Sequence, residues 1–361
     1  MRYLDVATTK QISKIGLGTW QFGSQEWGYG AQYADQGAHA IVRRALELGI
    51  TLFDTAEIYG FGRSERILGR ALGDEAASVL VATKIFPIVP SAVLVRQRAA
   101  ASASRLGVSS LDLYQAHWPN PLVRDGTIMR GMSALQRQGL VDEVGVSNYS
   151  LQRWRAAEEA LGSRVLSNQV CYSLVDRSPE RDLLPFAELH DRVVIAYSPL
   201  AHGLLSGRYD RDNQPGDSVR ASSPLFLPDN LDRTGDLIAV LREVADAHAA
   251  TPAQIALAWV IQHRSVAAIP GASSVEQLES NAAAAEIQLS DEEYQALRAA
   301  SGKFSPPTPS NAPVRHSLPA TMRSAKFAVR HSAKGGWHVS KTIWNDHMVE
   351  RLPSAPREKK K

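Results

Sequence analysis

The chain has 361 residues, 44% of them hydrophobic and 21% charged, with a formal charge of +3. A globular chain of this length buries a core without help from disulfides or structural metals. Its one cysteine, Cys171, excludes an intramolecular disulfide and fits a reducing compartment. Residues 302–361 hold 12 Lys and Arg against 3 Asp and Glu, a balance of +9, so residues 1–301, with 28 against 34, carry −6. A basic surface for nucleic acid is therefore excluded for the body and left only to the tail.

The chain begins Met1-Arg2-Tyr3-Leu4-Asp5, with no apolar signal core or cleavage site. No apolar run approaches the roughly 18 residues of a membrane helix. A cytoplasmic protein without a membrane partner is expected.

From residue 15 to 300 short β-rich apolar runs alternate with amphipathic stretches. The runs predict strands near 15–18, 50–54, 78–83, 111–116, 143–146, 165–169, 193–197 and 266–270. Helices are predicted over Ala38–Leu48, Ser64–Leu72, Val93–Arg105, Leu151–Leu161 and Asp236–Ala249. Seven strands lead into a helix after a short loop, and the seventh strand into a long loop, 198–235. Eight strand–helix units in a chain of this size predict an α/β fold of the (β/α)8 TIM-barrel type, parallel and eight-stranded. An open doubly wound sheet would carry G-x-G-x-x-G between strand and helix. Gly16-Leu17-Gly18 and Gly60-Phe61-Gly62 both lack its third glycine. The periodicity stops after residue 301, giving a barrel over 1–301 and a Pro-rich, then basic, extension over 302–361. That extension is expected to be irregular. Two alternatives are a fold-back over the barrel rim, with Trp337 or Trp344 reaching substrate, and a contact with an anionic partner.

Barrel chemistry belongs at the C-terminal ends of the strands. There Asp54 ends the second strand, Lys84 the third and His117 the fourth, while Tyr59 follows Asp54 on the next loop. These four residue types suit delivery of a hydride to a carbonyl, because the resulting alkoxide needs a proton. A phenol is a weak acid; a neighbouring ammonium would lower its pKa, a carboxylate would hold that ammonium, and an imidazole could orient the carbonyl oxygen. The rim shows no cluster of His and carboxylates at ligand spacing and no H-E-x-x-H, so no metal is expected.

In order along residues 3–300 come Ile15-Gly16-Leu17-Gly18-Thr19-Trp20, Phe53-Asp54-Thr55-Ala56-Glu57-Ile58-Tyr59-Gly60, Thr83-Lys84, Gln115-Ala116-His117-Trp118-Pro119, Gly145-Val146-Ser147-Asn148-Tyr149, Asn168-Gln169, Tyr197-Ser198-Pro199-Leu200 and Ile269-Pro270-Gly271-Ala272-Ser273. In these motifs the chain resembles the aldo-keto reductase family, and within it the bacterial short-loop branch with channel β-subunit-like and general-stress-protein-like members. The resemblance implies Tyr59 as general acid, Lys84 and Asp54 as its tuners and His117 as the carbonyl-orienting donor. With His117 present, it implies reduction of carbonyls rather than of carbon–carbon double bonds.

The resemblance also implies a nicotinamide cofactor, NADP(H), with NAD(H) as the alternative. Ser147, Asn148 and Gln169 would grip the nicotinamide carboxamide, Tyr197 would stack on the ring, and Thr19 and Trp20 would also bind the cofactor. Ser198, Pro199, Leu200, Gly203, Leu205, Ser206 and Arg208 would follow the pyrophosphate, and Gly271, Ser273, Gln277 and Asn281 the adenosine end. Where many relatives carry a basic residue for the 2′-phosphate, this chain has Gly271 to Ser273, which shifts that role to Arg208 or Arg220. The glutamate usual before the adenine-contacting asparagine is Ser280 here. Trp20, Trp27, Phe86 and Trp118 are expected to line the pocket for a small carbonyl substrate. Phe22 and Tyr29 lie on the same rim loops; for Phe22 and Trp27 the alternative is packing of loop against loop, and Trp20 and Trp118, beside the strand-end motifs, are favoured. The competing reading, also from the family, is a nucleotide-binding redox-sensing or regulatory subunit with slow turnover. Substrate, physiological direction and oligomeric state are not encoded legibly.

Overall fold

The computed structural model describes residues 1–24, 31–87, 91–120, 123–302 and 304, with the backbone alone at 31–34 and 218. Trp27, Tyr29 and the tail tryptophans Trp337 and Trp344 lie outside the described residues. The strands are β1 (Leu17–Gly18), β2 (Leu52–Asp54), β3 (Leu80–Ile85), β4 (Leu111–Ala116), β5 (Val141–Ser147), β6 (Ser167–Cys171), β7 (Val193–Tyr197) and β8 (Val266–Ala268). All neighbours pair in parallel in chain order. Parallel bridges Ile15↔Ala268 and Gly18↔Gly271 join β1 to β8 and close the barrel.

Helices alternate with the strands: α1 (Ala31–Glu47), α2 (Arg63–Leu72), α3 (Ala92–Leu106), α4 (Asp125–Arg137), α5 (Leu151–Leu161) and α6 (Leu183–Leu189). Next come α7 (Ser218–Ala221), α8 (Pro228–Arg233), α9 (Gly235–Ala247), α10 (Pro252–Val260), α11 (Val275–Ala283) and α12 (Asp291–Gly302). Their ends are written in the sequence. Ser91 and Ser150 cap α3 and α5 by accepting from the third residue onward, and Gly107 and Gly162 end them with φ of 75° and 78°, a conformation glycine adopts without a Cβ penalty. Thr251, Pro252 and Gln254 form a capping box with proline in the first turn of α10. Two expectations need correction. Helix α1 starts at Ala31 rather than Ala38, and the segment 198–235 contains short helical turns, among them Ala201–Ser206, α7 and α8. Such three- to six-residue pieces carry too little periodicity to read from sequence.

The strand period of two divides the barrel interior into an apolar floor and a polar mouth. Leu52, Leu80, Ala82, Leu113, Val193, Ile195, Ala267 and Ile269 form one buried cluster, plugged from below by Leu4 and Ile12. Leu4 and Ile12 come from an N-terminal hairpin paired at Tyr3↔Ser13. Two residues further along the same strands stand Asp54 after Leu52, Lys84 after Ala82 and Tyr197 after Ile195. Side chains two apart share a face, so this alternation alone sends polar groups into the mouth. Gly145 keeps the interior passable: a Cβ there would sit 2.4 Å from Ser167 Oγ and 2.8 Å from Gln115 Cγ.

Candidate active site

Lys84 is the centre of the mouth. It is fully buried, and Nζ donates to Asp54 Oδ2 at 2.6 Å, to the Thr55 carbonyl at 2.8 Å and to Tyr59 Oη at 3.3 Å. Three acceptors use all three protons of an ammonium. Nζ also lies 4.9 Å from the centroid of the Tyr59 ring. Asp54 Oδ1 accepts from Gln169 Nε2 at 2.7 Å, so both carboxylate oxygens are satisfied. Burial pushes the Asp54 carboxyl up and the Lys84 ammonium down, and their contact opposes both shifts.

Tyr59 departs from expectation. Burial, and then the Asp54 carboxylate, hold its phenol well above the ordinary value. Burial outweighs the lowering expected from the Lys84 ammonium, whose charge Asp54 offsets in part, because a desolvated phenolate is costly. His117 is buried, and burial followed by the Lys84 charge pushes it well below the usual imidazole value; it is a neutral ring. Its edge meets Tyr59 at 5.8 Å, and its Nδ1 is buried with no hydrogen-bond partner among the described residues.

The aromatic wall forms around these groups. Trp118 stacks on His117 at 3.7 Å and meets Phe86 edge-on at 5.3 Å. Trp20 lies 6.4 Å from both Tyr59 and His202. Phe22, by contrast, is buried in the outer core.

A continuous hydrogen-bonded chain runs from Asp54 around the mouth. Ser147 Oγ donates to the Gln169 carbonyl at 2.9 Å, Asn148 Nδ2 donates to Ser147 Oγ at 3.1 Å, and Tyr197 Oη donates to Asn148 Oδ1 at 2.9 Å. Gln169 thereby links the Asp54–Lys84–Tyr59 group to the β5–β7 ends. Thr19 lies behind the mouth, its hydroxyl bonded to the Asp54 carbonyl at 2.9 Å and to Ser64 Oγ at 2.8 Å.

After β7 the backbone takes positive φ at Ser198 (51°), Ala201 (48°), His202 (59°) and Gly203 (93°). Non-glycine residues in this region are uncommon and gather at ligand-holding loops. Pro199 and Leu205 are buried and Leu200 half-buried in this turn, and Ser206 Oγ donates to the Gly203 carbonyl at 2.6 Å. Arg208 is exposed. Arg220 bonds the His202 carbonyl and Asp217, each at 2.6 Å. At the end of β8, Asn281 donates to the Gly271 carbonyl at 3.3 Å, and Ser273 Oγ donates to Gln277 Oε1 at 2.7 Å. The four residues assigned to the adenosine end are thus neighbours. Gln21 ties this station to the first loop by donating to the Ala272 carbonyl at 2.8 Å.

The fold therefore gathers the four catalytic candidates and groups the cofactor candidates on adjoining rims. Sequence reasoning did not single out His202, Gln21 or the Gln169–Asp54 bond. That bond spans 115 residues, and only the closed barrel brings its partners together.

The aldo/keto reductase family matches residues 14–301. An uncharacterized oxidoreductase of Mycobacterium tuberculosis is 56% identical over 306 residues, covering 85% of this chain and 94% of that protein. Methylglyoxal reductase YeaE of Escherichia coli is 33% identical over 291 residues, covering 79% of this chain and 90% of that one. Among solved structures, an aldo-keto reductase from Klebsiella pneumoniae in complex with NADPH has a TM-score of 0.67 at 29% identity, over 85% of this chain and 96% of that one. The family match and these relatives place the barrel among oxidoreductases. The chain belongs to the aldo-keto reductase family.

Proposed function

We propose that this protein reduces aldehydes or ketones to alcohols with NADPH, and that Tyr59 is the proton donor. The observation that carries this reading is the buried Tyr59–Lys84–Asp54 chain, with Lys84 Nζ 3.3 Å from the phenol oxygen and 2.6 Å from the carboxylate. The residues also fit a nicotinamide dinucleotide. A hydroxyl and two amides (Ser147, Asn148, Gln169) stand on the ends of β5 and β6, with Asn148 bonded to Tyr197, residue types suited to a carboxamide. The positive-φ turn at 198–203 presents the kind of backbone that cradles phosphate oxygens. The NADPH held by the Klebsiella relative supports the phosphorylated form for this chain, with exposed Arg208 or Arg220 as the cation for its 2′-phosphate. NAD(H) is the alternative on the same station. When bound, the cofactor supplies the hydride to the carbonyl carbon.

The protein's own part is the proton. Tyr59 holds its proton across the physiological range because burial raises its pKa. The receiving oxygen becomes an alkoxide, a far stronger base than phenolate, so a weak acid suffices provided the phenolate left behind is stabilised. The Lys84 ammonium, kept charged by Asp54, provides that stabilisation. Neutral His117 keeps one ring N–H, which can donate to the carbonyl oxygen and fix its direction. The Trp20, Phe86 and Trp118 faces exclude water and favour small apolar or aromatic substrates. The likeness to a methylglyoxal reductase makes dicarbonyls the first substrates to try.

An intact proton-donating chain favours turnover over the redox-sensing subunit. The test is NADPH absorbance decay with methylglyoxal, aliphatic aldehydes and aromatic aldehydes, run beside Tyr59→Phe. A loss of about 10²-fold or more in the variant is expected. Equal activity in both proteins refutes the role of Tyr59, and cofactor binding without turnover of any carbonyl favours the sensor.

A further inference from the structure

Two carboxylates that the proton-transfer step does not use lie directly behind it. Glu57 precedes Tyr59 by two residues, and Glu65 follows it by six. Glu57 Oε1 accepts the Phe86 backbone N–H at 2.5 Å, while both its oxygens take bonds from the Arg98 guanidinium, Nε to Oε2 at 3.0 Å and Nη2 to Oε1. Glu65 is fully buried; Oε1 accepts from Thr83 Oγ1 at 2.6 Å and Oε2 from Arg105 Nε at 2.6 Å.

The two grips join the same two elements, Glu57 through a two-pronged guanidinium and a backbone N–H, Glu65 through one guanidinium bond and a hydroxyl. Thr83 and Phe86 flank Lys84 on the end of β3, and Arg98 and Arg105 stand seven residues apart on α3. Seven residues are about two helical turns, so the two guanidiniums emerge from one face of α3. The loop between the carboxylates carries Tyr59 and leans on the same scaffold. Ser64 N donates to the Tyr59 carbonyl at 3.2 Å, and Glu57 N to the Lys84 carbonyl at 3.4 Å. Gly62, at φ 78°, passes so close to Arg105 that a Cβ would lie 2.6 Å from its Cδ.

We propose that Glu57 and Glu65 are positioning residues: a double clamp that grips β3 on both sides of Lys84 and the loop on both sides of Tyr59, and so fixes the contact between the phenol and the ammonium. The two-pronged Arg98–Glu57 pair specifies geometry as well as strength. The clamp also holds Phe86, and through it the Phe86–Trp118–His117 stack. Proton transfer falls steeply with misplacement, about 10²-fold for 1 Å, so a loosened clamp acts on the chemical step. The cofactor candidates on β5 to β8 have no bond to either carboxylate among the contacts described.

This inference rests on the carbonyl-reductase reading, and its test separates the two. The whole chain is assayed with NADPH and methylglyoxal as wild type, Glu57→Gln, Arg98→Lys and Glu57→Gln in a Tyr59→Phe background. NADPH affinity is followed by quenching of protein fluorescence, and folding by thermal melting. The expected result is a 10- to 100-fold loss of kcat in Glu57→Gln, with NADPH affinity within twofold of wild type, and less than twofold further loss when Tyr59 is already phenylalanine. Arg98→Lys keeps the charge but loses the fork and is expected to lose several-fold in kcat; it carries the test if the glutamine variant does not fold. An active wild type with unchanged variants overturns the clamp alone. So does an equal fold-loss in both backgrounds, or a loss of NADPH affinity in step with kcat. A wild type that turns over no carbonyl overturns the reading beneath it, and the inference with it.

Discussion

Replacing Asp54 with asparagine changes one atom and removes the counter-charge of a lysine with no solvent exposure. In the native site Asp54 holds Lys84 on one oxygen and Gln169 on the other, at 2.6 and 2.7 Å. An amide offers one acceptor, so one of these bonds is lost. Breaking a buried ion pair from one side costs about 3–5 kcal/mol. At roughly 2 °C per kcal/mol for a chain of this size, melting is expected to fall by about 6–10 °C at pH 7. Lys84 can relieve part of this cost by releasing its proton, since burial already pushes it down and Asp54 is the chief group holding it up. The sign of the pH dependence follows. In the variant the folded lysine is neutral while the unfolded one, near 10.5, still binds a proton. The unfolded state then binds more protons, so stability rises with pH through that window, and the gap to wild type narrows toward pH 10. A neutral Lys84 cannot stabilise the phenolate, so kcat is expected to fall by about 10²-fold. Calorimetry at pH 7 and 9.5, with NADPH turnover beside it, checks both. A melting gap that widens with pH, or a variant with wild-type kcat, refutes the assignment of Asp54 as the keeper of the Lys84 charge.

Two more outcomes follow from the barrel itself. Lys14, at the barrel floor, donates to the Ile261 and His263 carbonyls, both at 2.8 Å, and burial, then the Arg2 charge, lowers its pKa from 10.5 to about 8. Between those values the unfolded state holds the extra proton, so this residue makes stability rise with pH by up to about 2–3 kcal/mol. Urea titrations of Lys14→Gln are expected to lack that rise, and a variant with the same pH slope as wild type would contradict it. Gly145→Ala puts a methyl against Ser167 Oγ and Gln115 and is expected to cost about 1–3 kcal/mol by overpacking; an unchanged melting temperature would mean that the interior has room.

Much of the fold and site was legible in the sequence because it is local. Val193–Tyr197 is a continuous apolar run and Leu111–Ala116 a mostly apolar one, and Asp54, Lys84 and His117 fall at strand ends where barrel chemistry must sit. The acidity of Tyr59 was misjudged because a sequence shows the lysine but not the depth of burial, and burial dominates. Gln169 was recognised as a rim residue, yet its bond to Asp54 depends on the barrel's curvature. Glu57 lay within a recognised motif, but its partners Phe86 and Arg98 lie on another strand and helix. The turns at 201–206 and 218–233 are held by tertiary contacts and leave no periodic trace.

The seam where β1 meets β8 has a consequence for how the molecule is made. Gly16 N donates to the Ala268 carbonyl, and Gln21 reaches Ala272 across 251 residues of chain. In an otherwise unfolded chain, bringing ends that far apart together costs about 5 kcal/mol of loop entropy, a cost that pairing strand by strand from β1 to β7 lowers. Asp54, Tyr59 and Lys84 lie early in the barrel, but the wall that seals it is complete only once Gly271 is in place. Until then β1 has a single neighbour and an open edge. The closed wall around Asp54, Tyr59 and Lys84 thus depends on the last strand of the barrel, which acts as the latch.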